Sequence, residues 1–362
     1  MSNVLFFFLF KKQPVVRLGA CGLFLFLFLS LSPAVHAETA LPVTEEEQTG
    51  LFIPFPASGE LENAFSFDMN KELAPPVLRI LYTASTWGET QPCPTCRTAY
   101  GGLDRRSAYF AKRRSGKSPV FVIAGPDEFI ADAPKYTRQT KAGTENAGTG
   151  TSDIPENAVP PSMDAPISLA AHMVLDVNAG FMSPHAAAWM EKNAGATPPG
   201  FHVVHDVPVS LLSPSPAGTI GVVFFPRGRG KSGHPTEEQM QNVLSVGSSL
   251  RAKSVLLIGI SPWGYEAEKN FLRQGEGTFH ILLGGGDGMP FAQAVAKECP
   301  SILWSRPDSM GRAITEINLM ELPPSAASGN RAQWLEGVSF KARLVFLDDS
   351  YPSDPQMQQI LR

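Results

Sequence analysis

Two cysteines three positions apart, Cys93 and Cys96, are the residues whose types and spacing most directly suggest chemistry. A thiol is reactive as its thiolate, and nearby positive charge lowers a thiol pKa. Arg97, Arg105 and Arg106 follow within ten positions, so one interpretation is a redox-active dithiol. The alternative is a structural disulfide, which is common in exported proteins. Half of a metal site is not favoured, because the sequence contains no second Cys-x-x-Cys.

A basic, glycine-rich loop is the second chemical feature. It contains Arg227, Arg229 and Lys231, and a predicted helix follows it. A phosphate-binding P-loop needs a glycine five positions before Gly230, and that residue is Phe225, so the pattern fails. The three basic side chains and the helix N-terminus remain a candidate anion site, with an ordinary solvated loop as the alternative.

The spacing of the histidines and the net charge argue against two further classes of site, a histidine-based metal centre and a nucleic-acid-binding surface. The seven histidines do not cluster at metal-ligand spacing, and no H-E-x-x-H motif occurs. The formal net charge of -4 argues against nucleic acid as a partner. Four cysteines in 362 residues are too few for a disulfide scaffold, whereas 43% hydrophobic residues suffice for a folded core.

The elements that must position these residues alternate between strands and helices, which predicts an α/β domain. We predict strands at Val77–Tyr82, Val120–Ala124, Phe201–Val204, Ile220–Phe225, Val255–Ile260, His280–Leu283, Ile302–Ser305, Ala313–Leu319 and Ala342–Leu347. Ala313–Leu319 alternates like an edge strand. We predict helices at Leu103–Arg114, Ser183–Asn193, Glu237–Leu250 and Glu266–Arg273, with caps at Ser183 and Thr236.

The N-terminus is typical of a signal peptide. Lys11, Lys12 and Arg17 precede an apolar core at 18–31, and cleavage is expected near Ala37. The core is shorter than the roughly 20 residues of a membrane span, so no stable span is expected after cleavage. Removing residues 1–37 changes the net charge from -4 to -7. A periplasmic or secreted location follows.

The remaining chain divides by composition. Residues 38–74 are expected to be an N-terminal extension and 75–321 the domain. Residues 131–166 are rich in small and polar types, which predicts a flexible insert. Residues 322–362 are expected to form a C-terminal tail with one short strand.

Six segments, in the right order over about residues 77–320, resemble the metallophosphoesterase domain of periplasmic 5'-nucleotidases and UDP-sugar hydrolases. Residues 80–88 resemble the first strand, which in the family ends N-D-x-H-G, and 101–106 resemble its G-G-L-A-R-R helix start. Residues 121–127, 256–264 and 281–288 resemble the strands ending in D-A-G-D, S-H-x-G and G-G-H-S-H, and 311–319 resemble the closing G-R-x-x-L-x-L strand. The resemblance implies a four-layer α/β/β/α sandwich of the calcineurin-like type.

The metal ligands of that family are absent from the matching positions. Those positions hold Ser85, Trp87, Pro126, Pro262, Gly286 and Gly288. The acidic residue Asp127 replaces the family's aspartate only after a shift of one residue, and no G-N-H-E motif occurs. Such side chains offer little to a hard divalent ion, so we expect no metal and no other cofactor. Only about forty residues follow Met320, so the resemblance does not extend to the family's large substrate domain.

Three functions are consistent with this pattern. The first is a non-hydrolytic binding or scaffold protein, that is, a pseudoenzyme. The second is a thiol-redox protein that uses Cys93 and Cys96, and the third is a phosphoester hydrolase with a remodelled metal site. The sequence names no ligand, partner or oligomeric state.

Overall fold

The computed structural model describes residues 74–93, 98–129, 132, 164–230, 233–275, 277–295, 299–324 and 331–362. The predicted signal peptide, most of the N-terminal extension and most of the insert therefore lie outside the described residues. All the described residues belong to one compact unit, Asn70–Arg362.

Twelve strands and six helices occur in this described part. The strands are β1 (Leu78–Thr83), β2 (Val120–Ala124), β3 (Ala179–Met182), β4 (Phe201–Val203), β5 (Val209–Ser213), β6 (Ile220–Phe224), β7 (Leu256–Ser261), β8 (Ile281–Gly284), β9 (Phe291–Val295), β10 (Leu303–Arg306), β11 (Ala313–Leu319) and β12 (Phe340–Phe346). The helices are α1 (Leu103–Arg114), α2 (Ala165–Leu175), α3 (Pro184–Ala194), α4 (Glu237–Arg251), α5 (Tyr265–Gln274) and α6 (Pro355–Ile360).

The strands form two six-stranded mixed sheets. The first has the order β12-β11-β1-β2-β3-β4 and the second β5-β6-β7-β8-β10-β9. Strands β1 to β4 run parallel, as do β6, β7, β8 and β10. The carboxyl ends of neighbouring parallel strands lie at the same edge of each sheet, where α/β proteins place binding sites.

The two sheets pack face to face, and helices cover their outer faces. The central core joins Ile80 and Phe121 of the first sheet to Val222 and Leu283 of the second. Helices α1, α2 and α6 pack on the first sheet, whereas α4 and α5 pack on the second. The predicted α/β/β/α sandwich is therefore confirmed. Strands buried on both faces explain the continuous apolar runs in the sequence.

Local sequence signals located most elements correctly. The bounds of α1, β2 and β11 agree with the prediction. Ser183 caps α3, since its hydroxyl oxygen accepts from the amide of Ala186 at 2.9 Å. Thr236 and Gln239 form the expected capping box of α4.

The structure corrects the prediction in four respects. β11 is not an edge strand, because β1 and β12 flank it and nearly all its residues are buried. Helix α2 begins inside the segment 131–166 that composition assigned to a flexible insert. In the tail 322–362, β12 pairs with β11, and α6, which was not predicted, packs through Met357. Strands β3, β5 and β9 and helix α2 are also absent from the prediction.

No helix within the described ranges combines the length and hydropathy needed to cross a bilayer.

Candidate functional site

A cleft of about 290 Å³ lies where loops from both sheets meet at the carboxyl ends of the parallel strands. Trp87 follows β1, Asp127 follows β2 and Arg227 follows β6. Pro262 follows β7 and Gly286 follows β8. The topology therefore brings together residues that are up to 200 positions apart in the chain.

The six positions that replace the family's metal ligands converge on this region. The amide of Ser85 donates to the carbonyl of Pro126 at 2.7 Å, and its hydroxyl oxygen accepts from the amide of Gly286 at 3.2 Å. Trp87, Pro262 and Gly286 line the cleft, while Gly288 lines the cavity next to it. The loops thus meet as the resemblance implies, although their side chains are of other types.

Three residues of these loops adopt a left-handed backbone conformation that is uncommon for residues other than glycine. Their φ angles are 51° for Ser85, 49° for Trp87 and 62° for Asp127. Such a residue costs on the order of 1–3 kcal/mol, and such residues cluster at functional sites. Amide-to-carbonyl bonds hold the loops together, including Trp87 to Asp127 at 2.8 Å and Gly88 to Glu128 at 3.0 Å.

An arginine pairs with two carboxylates of the cleft. Arg227 pairs with Asp127 and lies 3.6 Å from Asp132, whose other contact is the Ser183 hydroxyl at 2.5 Å. Burial opposes ionisation of Arg227, but the two carboxylates outweigh it and raise the arginine pKa. Burial raises the pKa of Asp132, and Arg227 offsets only part of that shift. The cleft therefore carries mutually paired charges rather than a free set of ligands.

Two buried arginine–glutamate pairs flank the cleft. Arg106 contacts Glu128 at 2.5 Å on the first sheet, and His172 lies 3.7 Å from the same carboxylate. Burial alone would raise the pKa of Glu128, but Arg106 lowers it overall. On the second sheet, Arg306 contacts Glu268 at 2.5 Å. There burial dominates and raises the pKa of Glu268 to about 7.

Arg306 also holds the loop 284–288, which corresponds to the G-G-H-S-H segment of the resembled family. Its Nη2 donates to the carbonyl oxygens of Gly285 and Gly286, each at 2.9 Å, and of Asp287 at 2.8 Å. The close packing around this loop leaves no room for a side chain at Gly284, because a Cβ there would lie 2.1 Å from the Glu268 carboxylate. A guanidinium with five donors can hold several acceptors at once, so this cation stabilises a loop that in the resembled family ends in two metal ligands.

The residues of this cleft do not fit a dimetal centre. Within the described ranges, no three His, Cys, Asp or Glu side chains are grouped so that they could hold a metal ion. Asp127 and Asp132 share the cleft with Asp287, but the first two face Arg227. A guanidinium and a divalent cation would compete for the same carboxylate oxygens.

The other predicted site residues do not join this cleft as a group. Cys93 is buried, with 7% of its surface exposed, in the loop between β1 and α1. Cys96 and Lys231 lie outside the described residues. Arg229 lies 3.8 Å from Glu238. The redox and anion-binding assignments therefore stay predictions, and both described arginines of the basic loop face carboxylates.

Sequence reasoning missed Asp132, Glu268 and Arg306. Each is a single charged residue in an otherwise unremarkable segment, and each acquires its role from a partner on another element. The available signal was a charged residue inside an apolar context: Arg306 ends the buried strand β10, and Glu268 is fully buried on α5. Buried charges are rare unless paired.

Comparisons with known proteins bear on the fold. No family model matches the chain, and no curated protein matches it significantly. Solved structures do match. A 5'-nucleotidase precursor from Thermus thermophilus is 13% identical with a TM-score of 0.53, and the match covers 78% of this chain and 57% of that one. The sulfate thiohydrolase SoxB of Thermus thermophilus is 11% identical with a TM-score of 0.53, over 79% and 60%.

A putative 5'-nucleotidase from Staphylococcus aureus gives a similar result, with 11% identity, a TM-score of 0.51 and coverage of 78% and 57%. The chain thus spans about three fifths of the length of these structures. At this level of identity the likeness concerns the fold alone. The described chain has a metallophosphoesterase-like fold, and the predicted resemblance is confirmed at that level.

Proposed function

We propose that the protein is an exported, non-hydrolytic binding protein: a pseudoenzyme that keeps the metallophosphoesterase-like scaffold without its dimetal chemistry. The observation that carries the proposal is the pairing of Arg227 with the carboxylates of Asp127 and Asp132 in the cleft. An arginine placed there supplies the positive charge that a metal would otherwise supply.

The physical argument concerns the nucleophile. Two-metal phosphoesterases activate a water molecule and stabilise the charge that develops on the phosphoryl oxygens. An arginine offers hydrogen bonds and charge, but it cannot be coordinated by a water oxygen and lower that water's pKa as a metal ion does. The loop positions Ser85, Trp87, Pro126, Pro262, Gly286 and Gly288 add no imidazole and no carboxylate. Binding without turnover is the function that this set of residues supports best.

The test combines metal content with turnover. The purified protein is incubated with manganese, zinc and magnesium, dialysed, and analysed for bound metal. It is then assayed with p-nitrophenyl phosphate, bis-p-nitrophenyl phosphate and AMP. We expect less than one metal ion per chain and no turnover above that of a heat-inactivated control.

One bound metal ion per chain together with turnover would overturn the proposal and favour the hydrolase with a remodelled site. An Asp127→Asn variant then serves as the control, because activity that belongs to this cleft would fall and that of a contaminant would not.

For the redox alternative, thiol titration across a series of redox buffers is decisive. The burial of Cys93 supports a structural role, so we expect a low reduction potential and no disulfide exchange.

A further inference from the structure

A second cavity, of about 830 Å³, opens beside the cleft, and Trp263 and Asp287 border both. Its volume lies within the range of about 300–1,000 Å³ that is typical of small-molecule sites. Four aromatic side chains line it: Trp263, Tyr265, Phe291 and Trp304. We call this the aromatic cavity. Its residues come from β9, β10, the start of α5, the loops after β7 and β8, and the loop before α4.

Contacts among the rings fix the walls of the aromatic cavity. Tyr265 stacks on Trp304 with ring centroids 5.1 Å apart and planes at 25°. Phe291 meets Trp304 edge-on, with centroids 4.9 Å apart and planes at 81°. A ligand therefore finds a wall that is already ordered, and binding loses less conformational entropy than ordering loose rings would.

The indole N–H groups of the wall are already used within the protein. The Nε1 of Trp263 donates to the carbonyl oxygen of Pro226 at 2.7 Å, and the Nε1 of Trp304 donates to the carboxylate of Glu268 at 2.9 Å. Both indoles are almost fully buried, with 5% and 3% of their surface exposed, so they form the back of the wall. The ring surface open to a ligand belongs mainly to the half-buried Tyr265 and Phe291.

The remaining polar lining consists mainly of acceptors. The carboxylates of Glu266 and Asp287 lie at the exposed border of the cavity. The nearby guanidinium of Arg306 contacts Glu268 at 2.5 Å and is not among the residues that line the cavity. The cavity therefore combines aromatic faces with negative charge.

We propose that the aromatic cavity binds a small organic cation with an apolar or aromatic body and an ammonium group. Cations are attracted to aromatic faces and to carboxylates, and the lining of this cavity supplies both. His234 and the hydroxyl of Tyr265, which also line the cavity, can donate or accept and do not oppose this class. The inference names the ligand class of the proposed binding function and rests on it.

Three related probes test the charge preference by isothermal titration calorimetry: phenethylamine, 2-phenylethanol and 3-phenylpropionate. They share a phenyl ring on a two-carbon chain, which ends in a positive, a neutral and a negative group respectively. We expect phenethylamine to bind at least about tenfold more tightly than 3-phenylpropionate, with the alcohol between them. Tenfold is about 1.4 kcal/mol, which lies between the exposed and the desolvated value of a single cation–π contact.

Variants connect the preference to the cavity. Glu266→Gln combined with Asp287→Asn removes both carboxylates at exposed positions, so the fold is kept. The preference for the amine should then fall to within about threefold. Glu191→Gln combined with Asp206→Asn is the matched control, because it removes the same charge from exposed sites that do not line the cavity, and it should leave the preference unchanged.

Equal affinity for the amine and the carboxylate, absence of binding by all three probes, or an equal loss in the control variant would each overturn the inference. These results are distinct from failure of the proposed function, which metal content and turnover decide separately. A protein that binds the amine and also hydrolyses phosphoesters would keep this site and refute the pseudoenzyme proposal.

Discussion

Replacing Arg306 by methionine perturbs a buried charge pair and the loop that it holds. The guanidinium contacts Glu268 at 2.5 Å and donates to the carbonyl oxygens of Gly285, Gly286 and Asp287 at 2.8–2.9 Å. Methionine keeps the aliphatic stem but leaves a buried carboxylate without its cation. Breaking a buried pair in this way costs about 3–5 kcal/mol, so we expect the free energy of unfolding to fall by that amount at pH 8.

The pH dependence gives the sharper signature. Burial already raises the pKa of Glu268 from 4.5 to about 7, and loss of Arg306 raises it further because a stabilising charge is removed. A carboxyl whose pKa is higher in the folded state keeps a proton that the unfolded chain has released. The free energy of unfolding therefore falls as the pH rises from the unfolded pKa to the folded pKa of that carboxyl. Above pH 7, Arg306→Met should therefore lose up to about 1.4 kcal/mol per pH unit relative to the wild type.

Urea unfolding followed by tryptophan fluorescence at pH 6, 7, 8 and 9 measures both effects. Adding Glu268→Gln to Arg306→Met removes the unpaired charge, and this double variant should recover at least about 1 kcal/mol at pH 8 and lose the extra pH slope. Arg312→Met is the matched control, since Arg312 pairs with Asp308 at a partly exposed site and should cost at most about 1 kcal/mol. The reasoning is refuted if Arg306→Met resembles that control, or if the double variant is no more stable than the single one.

Three further predictions concern other parts of the molecule. His280 is buried, and burial lowers its pKa to about 3. Between about pH 6.5 and pH 3 the unfolded chain therefore binds a proton that the folded chain does not bind. When the pH is lowered from neutral to 5, the free energy of unfolding of the wild type should fall by roughly 2 kcal/mol more than that of His280→Asn, as measured by chemical denaturation. An equal acid sensitivity of both proteins would contradict this. Thr236→Ala removes the cap of α4 and should cost about 1 kcal/mol in urea unfolding, with no change expected in the m-value. The double variant Asp127→Asn and Asp132→Asn frees Arg227, so inorganic phosphate should bind about tenfold more tightly than to the wild type by calorimetry; unchanged affinity would show that the arginine is not restrained by these carboxylates.

Much of the fold followed from local patterns. The apolar run of β2 and the amphipathic pattern of α1 gave the observed bounds, because strand and helix periodicities depend on neighbouring residues. The caps at Ser183 and Thr236 were found for the same reason. Predictions were wrong where tertiary partners decide: β11 alternates in sequence, yet it is buried between two strands.

The same division applies to the candidate site. The sequence alone determined which loops carry motif positions and that imidazole and carboxylate ligands are missing from them, since those facts depend on residue identity and order. The tertiary structure alone decided that Arg227 meets Asp127, 100 positions away, and that Arg306 meets Glu268, 38 positions away. It also assembled the aromatic cavity from separate strands and loops. Such pairings depend on how parallel strands and their crossovers bring distant loops to one edge of the sheets, and no local pattern records that geometry.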